Sequence, residues 1–323
     1  MLALLLIAAT PAAQLFETMQ HSPDTVARMN AEYHLAVSLE VQGYLIPALY
    51  YYKNVFLAGP THPHLQDSVN ALVNIATKLN DDFVVPTIIA SRYDQYFEYL
   101  SKLSGDRAMQ VNYMIGALDY RQGKYDFALE SLGAVEGLLK PKARYLMGVI
   151  RVRKNDNKGA IQQWNEVLEL ISEHDTQEER AALRNTATLG IARAQYALGL
   201  YVESSATYLQ VPRFSKEWFD SLFENSWSYF QQEDYGRSLG QIESVLSPYF
   251  DKHFRAEAFV LAATVYYSNC QFDRTRTMLD VFKNRYEPEL AKVQAYLASD
   301  RKSTDIYADL VTTSNAVPVD MLR

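Results

Sequence analysis

From Ala31 the chain reads AEYHLAVSLEVQGYLIPALYYYKNVFLAGP, with a small residue, Ala36, midway along a first apolar stripe and Gly43 interrupting it. Ala48, Tyr52 and Val55 then return at helical spacing before Pro60 stops the run. The pattern predicts two short helices joined by a tight turn. The same order recurs downstream. In VNYMIGALDYRQGKYDFALESLGAV the equivalent positions are Gly116, Gly123, Tyr125, Ala128, Leu132 and Val135, and in the next stretch Gly148, Asn155, Ala160, Trp164 and Val167. Further on they are Ala192, Gly199, Tyr201, Ser204, Tyr208 and Val211, closed by Pro212. Two more sets follow: Ser226, Tyr235, Ser238, Ile242 and Val245, then Ala263, Phe272, Thr275, Leu279 and Phe282.

The turn positions Gly123, Asn155, Gly199, Glu233 and Cys270 are about 32, 44, 34 and 37 residues apart. The long step crosses residues 171 to 184, a polar and acidic run. It reads as a solvated loop and helix start, with Asp175 or Thr176 as N-cap and Glu178 and Glu179 in the first turn, where the helix dipole favours acids. Between Pro63 and Gly105 the pattern degenerates: Phe83 falls at the turn position, Pro86 replaces the expected small residue, and a further helix is predicted around Tyr93 to Lys102. It fades again after Pro288, leaving a helical stretch near Glu289 to Ala298 and another over Ile306 to Val311.

The small residue in the first helix, the Gly-x-Tyr-like turn and the Ala-aromatic order in the second resemble the tetratricopeptide repeat, a helix-turn-helix unit of about 34 residues. The resemblance implies an all-α fold, a right-handed α-solenoid of about six to seven such units. The expected organisation is a signal peptide over 1–13, an N-terminal repeat over 14–62, a degenerate helical pair over 63–105, the main array over 106–288, and over 289–323 a C-terminal helical cap or a truncated continuation.

Composition narrows the chemistry. Apolar residues make up 48% and charged residues 21% of 323 residues, which excludes a disordered or collagen-like chain. A formal charge of −7 argues against a nucleic-acid partner, which a basic face would meet. With 23 tyrosines against 13 glycines, the chain suits helix-on-helix packing better than turn-rich sheets. The opening Met-Leu-Ala-Leu-Leu-Leu-Ile-Ala-Ala-Thr-Pro-Ala-Ala has the apolar and cleavage-region character of an export signal, without a basic residue before it, and is too short to span a bilayer. A periplasmic protein with no transmembrane segment is therefore expected, a cytoplasmic one being the alternative. One cysteine, Cys270, permits no disulfide framework, and a turn position makes it an inert, half-buried thiol.

No cofactor, metal or catalytic group is expected. Gly236-Arg237-Ser238-Leu239-Gly240 fits the nucleophile-elbow pattern, but polar turn residues precede it where a strand is required, and Ser238 falls at the small helix position. Of six histidines, only His62 and His64 are neighbours, and two ligands do not close a metal site, so exposed imidazoles in a turn are expected. Asp81 and Asp82 read as turn residues rather than an acid-base pair.

In tetratricopeptide arrays the residues two, five, nine and twelve places into each first helix line a concave face. Carried over, position five is Tyr33, Tyr113, Tyr145, Leu189, Phe223 and Val260. Position twelve is Glu40, Tyr120, Val152, Tyr196, Phe230 and Tyr267, with Trp227 at position nine. The resemblance thus implies a partner-binding groove of Tyr113, Tyr120, Tyr145, Arg193, Tyr196, Phe223, Trp227, Phe230 and Tyr267, since tyrosine and tryptophan anchor protein contacts at low entropic cost. About half of these rings are expected instead to fill space between neighbouring helices. The lysines and asparagines of a carboxylate-clamping groove are not assembled: Asn30, Lys142 and Arg193 stand apart. Over Trp218 to Pro288 the chain also resembles gliding-motility-associated periplasmic repeat proteins. That likeness implies a scaffold or adaptor of a bacterial cell-envelope complex, with other envelope proteins as partners and an unassigned oligomeric state. A periplasmic chaperone or holdase and a cytoplasmic repeat adaptor are the alternatives.

Overall fold

The computed structural model describes residues 12–79, 84–92, 105–171, 178–250 and 253–298, together with Asp81, Lys302, Thr304, Asp305 and Ala308. Among them the regular structure is helical throughout. The chain divides into two compact units, Met1–Ile150 and Arg151–Arg323.

The first unit holds α1 (Ala12–His21), α2 (Thr25–Val41), α3 (Leu45–Ala58), α4 (Leu65–Leu79), α5 (Val84–Ala90), α6 (Gly105–Arg121) and α7 (Tyr125–Gly133), and most of α8 (Lys140–Arg153). Helices α1 to α4 pack each on the next, as do α6 and α7. The core between α2, α3 and α4 contains Ala36, Ala48, Tyr52, Phe56, Leu72 and Ile75. The second core joins α7 to α8 through Ala128, Leu132, Val135, Ala143, Met147 and Ile150. Close approach of α6 and α7 needs Gly116, because a Cβ there would stand 2.6 Å from Leu132 Cγ.

The second unit holds α9 (Asn157–Leu170), α10 (Glu178–Ala197), α11 (Tyr201–Tyr208), α12 (Trp218–Gln231), α13 (Tyr235–Val245), α14 (Ala256–Ser268) and α15 (Phe272–Leu297). Each of these packs on the next, and the first helices α10, α12 and α14 also touch in sequence.

All six repeat turns close in one way. Gly43, Gly123, Asn155, Gly199, Glu233 and Cys270 have φ of 85°, 75°, 60°, 76°, 60° and 56°. Each donates its N–H to the carbonyl three residues back, and the next residue donates to the carbonyl five back, as in Gly199 to Tyr196 at 2.9 Å and Leu200 to Gln195 at 2.9 Å. This is the Schellman closure, which satisfies the orphan carbonyls at a helix end. The small positions do further work in the second unit. Ser204, Ser238 and Thr275 each donate a side-chain hydroxyl to the carbonyl twelve residues back, on Ala192, Ser226 and Ala263, at 2.9, 2.9 and 3.5 Å. Ser238 is therefore a fully buried helix-to-helix link rather than an exposed nucleophile.

Four local expectations change. His62 is buried at 3% exposure, and His64 stacks on Tyr33 with ring centroids 4.1 Å apart, so the Thr-His-Pro-His imidazoles pack the turn before α4 against α2. Cys270 is exposed, because the left-handed turn points its side chain outward. Pro86 lies buried at the third residue of α5, within the first turn where no helical partner for an N–H is needed. Helix α15 continues through Pro288 to Leu297. No residue of α15 is buried, so water can solvate the carbonyl that the proline leaves unpaired. Glu178 and Glu179 do occupy the first turn of α10, and Asp81 accepts from the N–H groups of Val84 and Val85 at 2.9 and 2.7 Å. The expectations for Asp175, Thr176, Phe83, Asp82, Tyr93 to Lys102, Ile306 to Val311 and residues 1–11 of the expected signal peptide lie outside the described residues, whereas Ala12, Ala13 and Gln14, around the expected cleavage point, open α1.

Candidate functional site

The side chains of α12 at Asp220, Glu224 and Trp227 recur at four and three residues and so share one face. That face lies beside α10, which presents Arg193 and Tyr196 one turn apart. The two helices meet in a fork-to-fork ion pair: Arg193 Nε donates to Glu224 Oε2 at 2.7 Å, and Arg193 Nη2 donates to Oε1 at 2.6 Å. Tyr208, from the end of α11, donates its hydroxyl to Glu224 Oε2 at 3.1 Å. Asp220 stands 4.0 Å from Arg193 and pairs with Arg255, whose guanidinium lies over Phe219 at 4.8 Å and Phe223 at 5.0 Å.

These groups line an open hollow of about 410 Å³ bounded by Arg193, Tyr196, Tyr208, Glu224 and Trp227. Burial works against the charge on Arg193, but Glu224, and then Tyr208 and Asp220, outweigh it and hold the guanidinium more firmly protonated than usual. Burial first, then the Glu224 charge and hydrogen bond, raise the Tyr208 hydroxyl well above its ordinary value, so it stays a neutral donor. The hollow therefore offers aromatic faces around a satisfied ion pair.

The structure unites three of the nine residues expected in the groove: Arg193, Tyr196 and Trp227. Phe223 is only 5% exposed and belongs to the core around Phe219, Ile242 and Leu261, which removes it from any groove. The position-twelve rings are braced within their own repeat by the ring that starts the second helix. Tyr120 lies 6.3 Å from Tyr125, Tyr196 5.2 Å from Tyr201, Phe230 5.9 Å from Tyr235 and Tyr267 5.7 Å from Phe272. Tyr267 remains well exposed despite that contact. In the first unit, Tyr113 and Tyr120 are partly buried against the α7–α8 core, and Tyr145 is half-buried on α8. Glu224 and Asp220 are not singled out by the sequence pattern, and Tyr208 is read there only as the aromatic position of its repeat, not as a member of the site. Their signal was present in the spacing: Glu224 shares a helix face with Trp227 and follows Arg193 by 31 residues, about one repeat.

Among the described residues, no group of three or more histidine, cysteine, aspartate or glutamate side chains is placed to hold a metal ion. Among them, too, no helix is long and apolar enough to cross a membrane.

No model of a known protein family matches the sequence, and no curated protein matches it. Solved structures do. The apo form of RapI is similar over 89% of this chain and 86% of its own, at 11% identity and a TM-score of 0.54. A signal transduction ATPase with numerous domains and a tetratricopeptide repeat sensor, from Pyrococcus horikoshii, is similar over 88% of this chain and 44% of its own, at 15% identity and a TM-score of 0.51. At these identities the likeness speaks to fold, and together with the six left-handed turns it establishes that this chain has the all-α fold of the tetratricopeptide repeat.

Proposed function

We propose that this chain is a non-catalytic protein-interaction scaffold or adaptor that holds a partner segment on the first-helix face of its second unit. The observation that carries the reading is the hollow formed by Tyr196 and Trp227 over the Arg193–Glu224–Tyr208 network. Tyr196 is braced by Tyr201 at 5.2 Å and Trp227 by Phe230 at 5.9 Å, and rings held this way give contact area at little entropic cost. The serine of the elbow-like motif is bonded inside a helix pair, which supports a role without catalysis. In the Pyrococcus horikoshii protein the tetratricopeptide repeat is named as the sensor.

The finer reading is an exported, periplasmic component of a bacterial cell-envelope complex whose partners are other proteins of that complex. It is supported by the apolar opening of residues 1–13 and by the resemblance of Trp218 to Pro288 to gliding-motility-associated repeat proteins. A photo-crosslinking residue in place of exposed Gln231, whose amide reaches the Tyr196 hydroxyl at 3.5 Å, tests the interaction in native cells. The expected result is a discrete adduct from position 231 and none from exposed Glu169 on α9. Equal adducts from both would refute the groove. The mature N-terminus, read by mass spectrometry, tests the compartment: a start near Gln14 supports export, and retention of Met1 refutes it.

A further inference from the structure

A second hollow, of about 520 Å³, opens between the end of α11 and helices α12 and α13, on residues the groove does not use apart from Tyr208. Trp218, Tyr249 and Phe250 line it, with ring centroids 4.8 to 6.1 Å apart. Its rim is apolar and faces water. Leu209, Phe214 and Tyr249 are 62%, 71% and 65% exposed. The Phe214 ring lies 5.0 Å from Trp218 and 5.8 Å from Tyr249, so the exposed rings form one cluster. Apolar residues exposed singly are ordinary, whereas a contiguous cluster marks a surface that a partner covers.

The turn that carries Phe214 also gives this surface its charge. Ser215 donates its N–H to the Pro212 carbonyl at 3.2 Å, closing a β-turn whose central pair is Arg213 and Phe214. Phe214 takes the second central position at φ 67°, where glycine is the ordinary choice, so a strained backbone holds a large ring toward solvent. Strain of this kind is characteristic of functional sites. Arg213 is exposed, is the one charged residue lining the hollow, and makes no ion pair with a described residue. The one acid of the loop from Leu209 to Glu217, Glu217 itself, is buried. An apolar hollow thus stands beside an unanswered positive charge. A basic segment would meet repulsion there, and the complement is an apolar side chain next to a carboxylate.

We propose that this surface docks a short acidic segment of a partner protein, a large apolar side chain entering the hollow beside Trp218 and Tyr249 and an adjacent carboxylate pairing with Arg213. It is a second docking surface, separate from the groove at Tyr196 and Trp227. The test is saturation-transfer NMR on the full chain with end-capped peptides of sequence Gly-Ser-Glu-Phe-Glu-Ser-Gly, and with the central triplet changed to Gln-Phe-Gln, Lys-Phe-Lys or Glu-Ser-Glu. The Glu-Phe-Glu peptide is expected to bind saturably, with a dissociation constant on the order of 1 mM. Gln-Phe-Gln should bind about threefold more weakly, the size of an exposed ion pair, and Glu-Ser-Glu at least about tenfold more weakly, for loss of the buried ring. Arg213→Glu is expected to reverse the order, with Lys-Phe-Lys binding best, and to leave melting unchanged because the side chain it replaces is exposed and unpaired. Should that variant not fold, Arg213→Gln reads the same dependence as equal affinity for the Glu-Phe-Glu and Gln-Phe-Gln peptides. The Tyr196→Ala, Trp227→Ala double variant should bind the Glu-Phe-Glu peptide as the wild type does, which keeps this surface distinct from the groove. Absence of saturable binding by the Glu-Phe-Glu peptide, equal affinity for the glutamate and lysine peptides, or an order unchanged in the Arg213 variants would overturn the proposal. So would two other occupants: sedimentation showing a dimer that Arg213→Glu dissociates would assign the surface to a second copy, and Arg213-dependent binding to phosphatidylglycerol vesicles without peptide binding would assign it to a membrane.

Discussion

Asn155, Glu233 and Cys270 hold a left-handed backbone at positions where the other three repeat turns use glycine. For an L-residue that conformation costs about 1–2 kcal/mol, offset in part by the extra entropy a glycine loses on folding. Glu233→Gly and Cys270→Gly are therefore expected to raise stability by about 0.5–1 kcal/mol each, and Gly123→Ala to lower it by about 1 kcal/mol. A Cβ at Gly123 meets nothing within 4 Å, so crowding does not confound the comparison. Urea melts check this, and shifts of the same sign for both kinds of substitution would contradict the turn argument. Ser238 poses the converse case. Helix propensity favours alanine there, but the buried hydroxyl bridges two helices at 2.9 Å. Ser238→Ala is expected to destabilise by about 1 kcal/mol, measured in the same melts, with a gain pointing to a bridge of no consequence.

At the scale of elements, the packing of the turn before α4 on α2 carries a histidine group with a pH signature. Burial, and then the neighbouring His64, push the pKa of both His34 and His62 below the ordinary 6.5. Asp67 faces His64 at 3.8 Å, and Asn30 bonds it at 2.9 Å. The folded state thus keeps His34 and His62 neutral where the unfolded chain takes up protons. Their contribution is fully present above about pH 6.5 and is lost as pH falls through their lowered folded values. Melting temperature is expected to be flat from pH 7 to 8 and to decline below about 6.5, with a shallower decline in His62→Gln. A decline of the same slope in that variant would remove His62 from the explanation.

Helix pairs and turns were legible because each repeat restates one pattern, so Gly123, Asn155, Gly199, Glu233 and Cys270 reinforce one another across very different side chains. Features that depend on a unique neighbour were not. The burial of Phe223 follows from Arg255 and the α14 core reaching over it, and the passage of α15 through Pro288 follows from a helix with no buried face. The carboxylate that orders the candidate site, Glu224, is unremarkable in composition and meaningful only once α10 and α12 lie side by side.

For the whole molecule, a formal charge of −7 and an all-helical repeat fold leave the specific surfaces, rather than a global field, to choose partners. Tyr196 and Trp227 are only partly buried, Trp227 packing at the edge of the core that runs through Ile242, Leu261 and Val265. Removing both rings should accordingly cost recognition more than fold. The most direct measurement is affinity capture from native cells with the wild-type chain and with the Tyr196→Ala, Trp227→Ala double variant, each verified helical by circular dichroism. The account predicts that partners recovered stoichiometrically with the wild type drop at least about tenfold with the variant, as expected for loss of two anchor residues. Undiminished recovery with a folded variant would contradict it, and equal loss of helicity and binding would show that these rings are core.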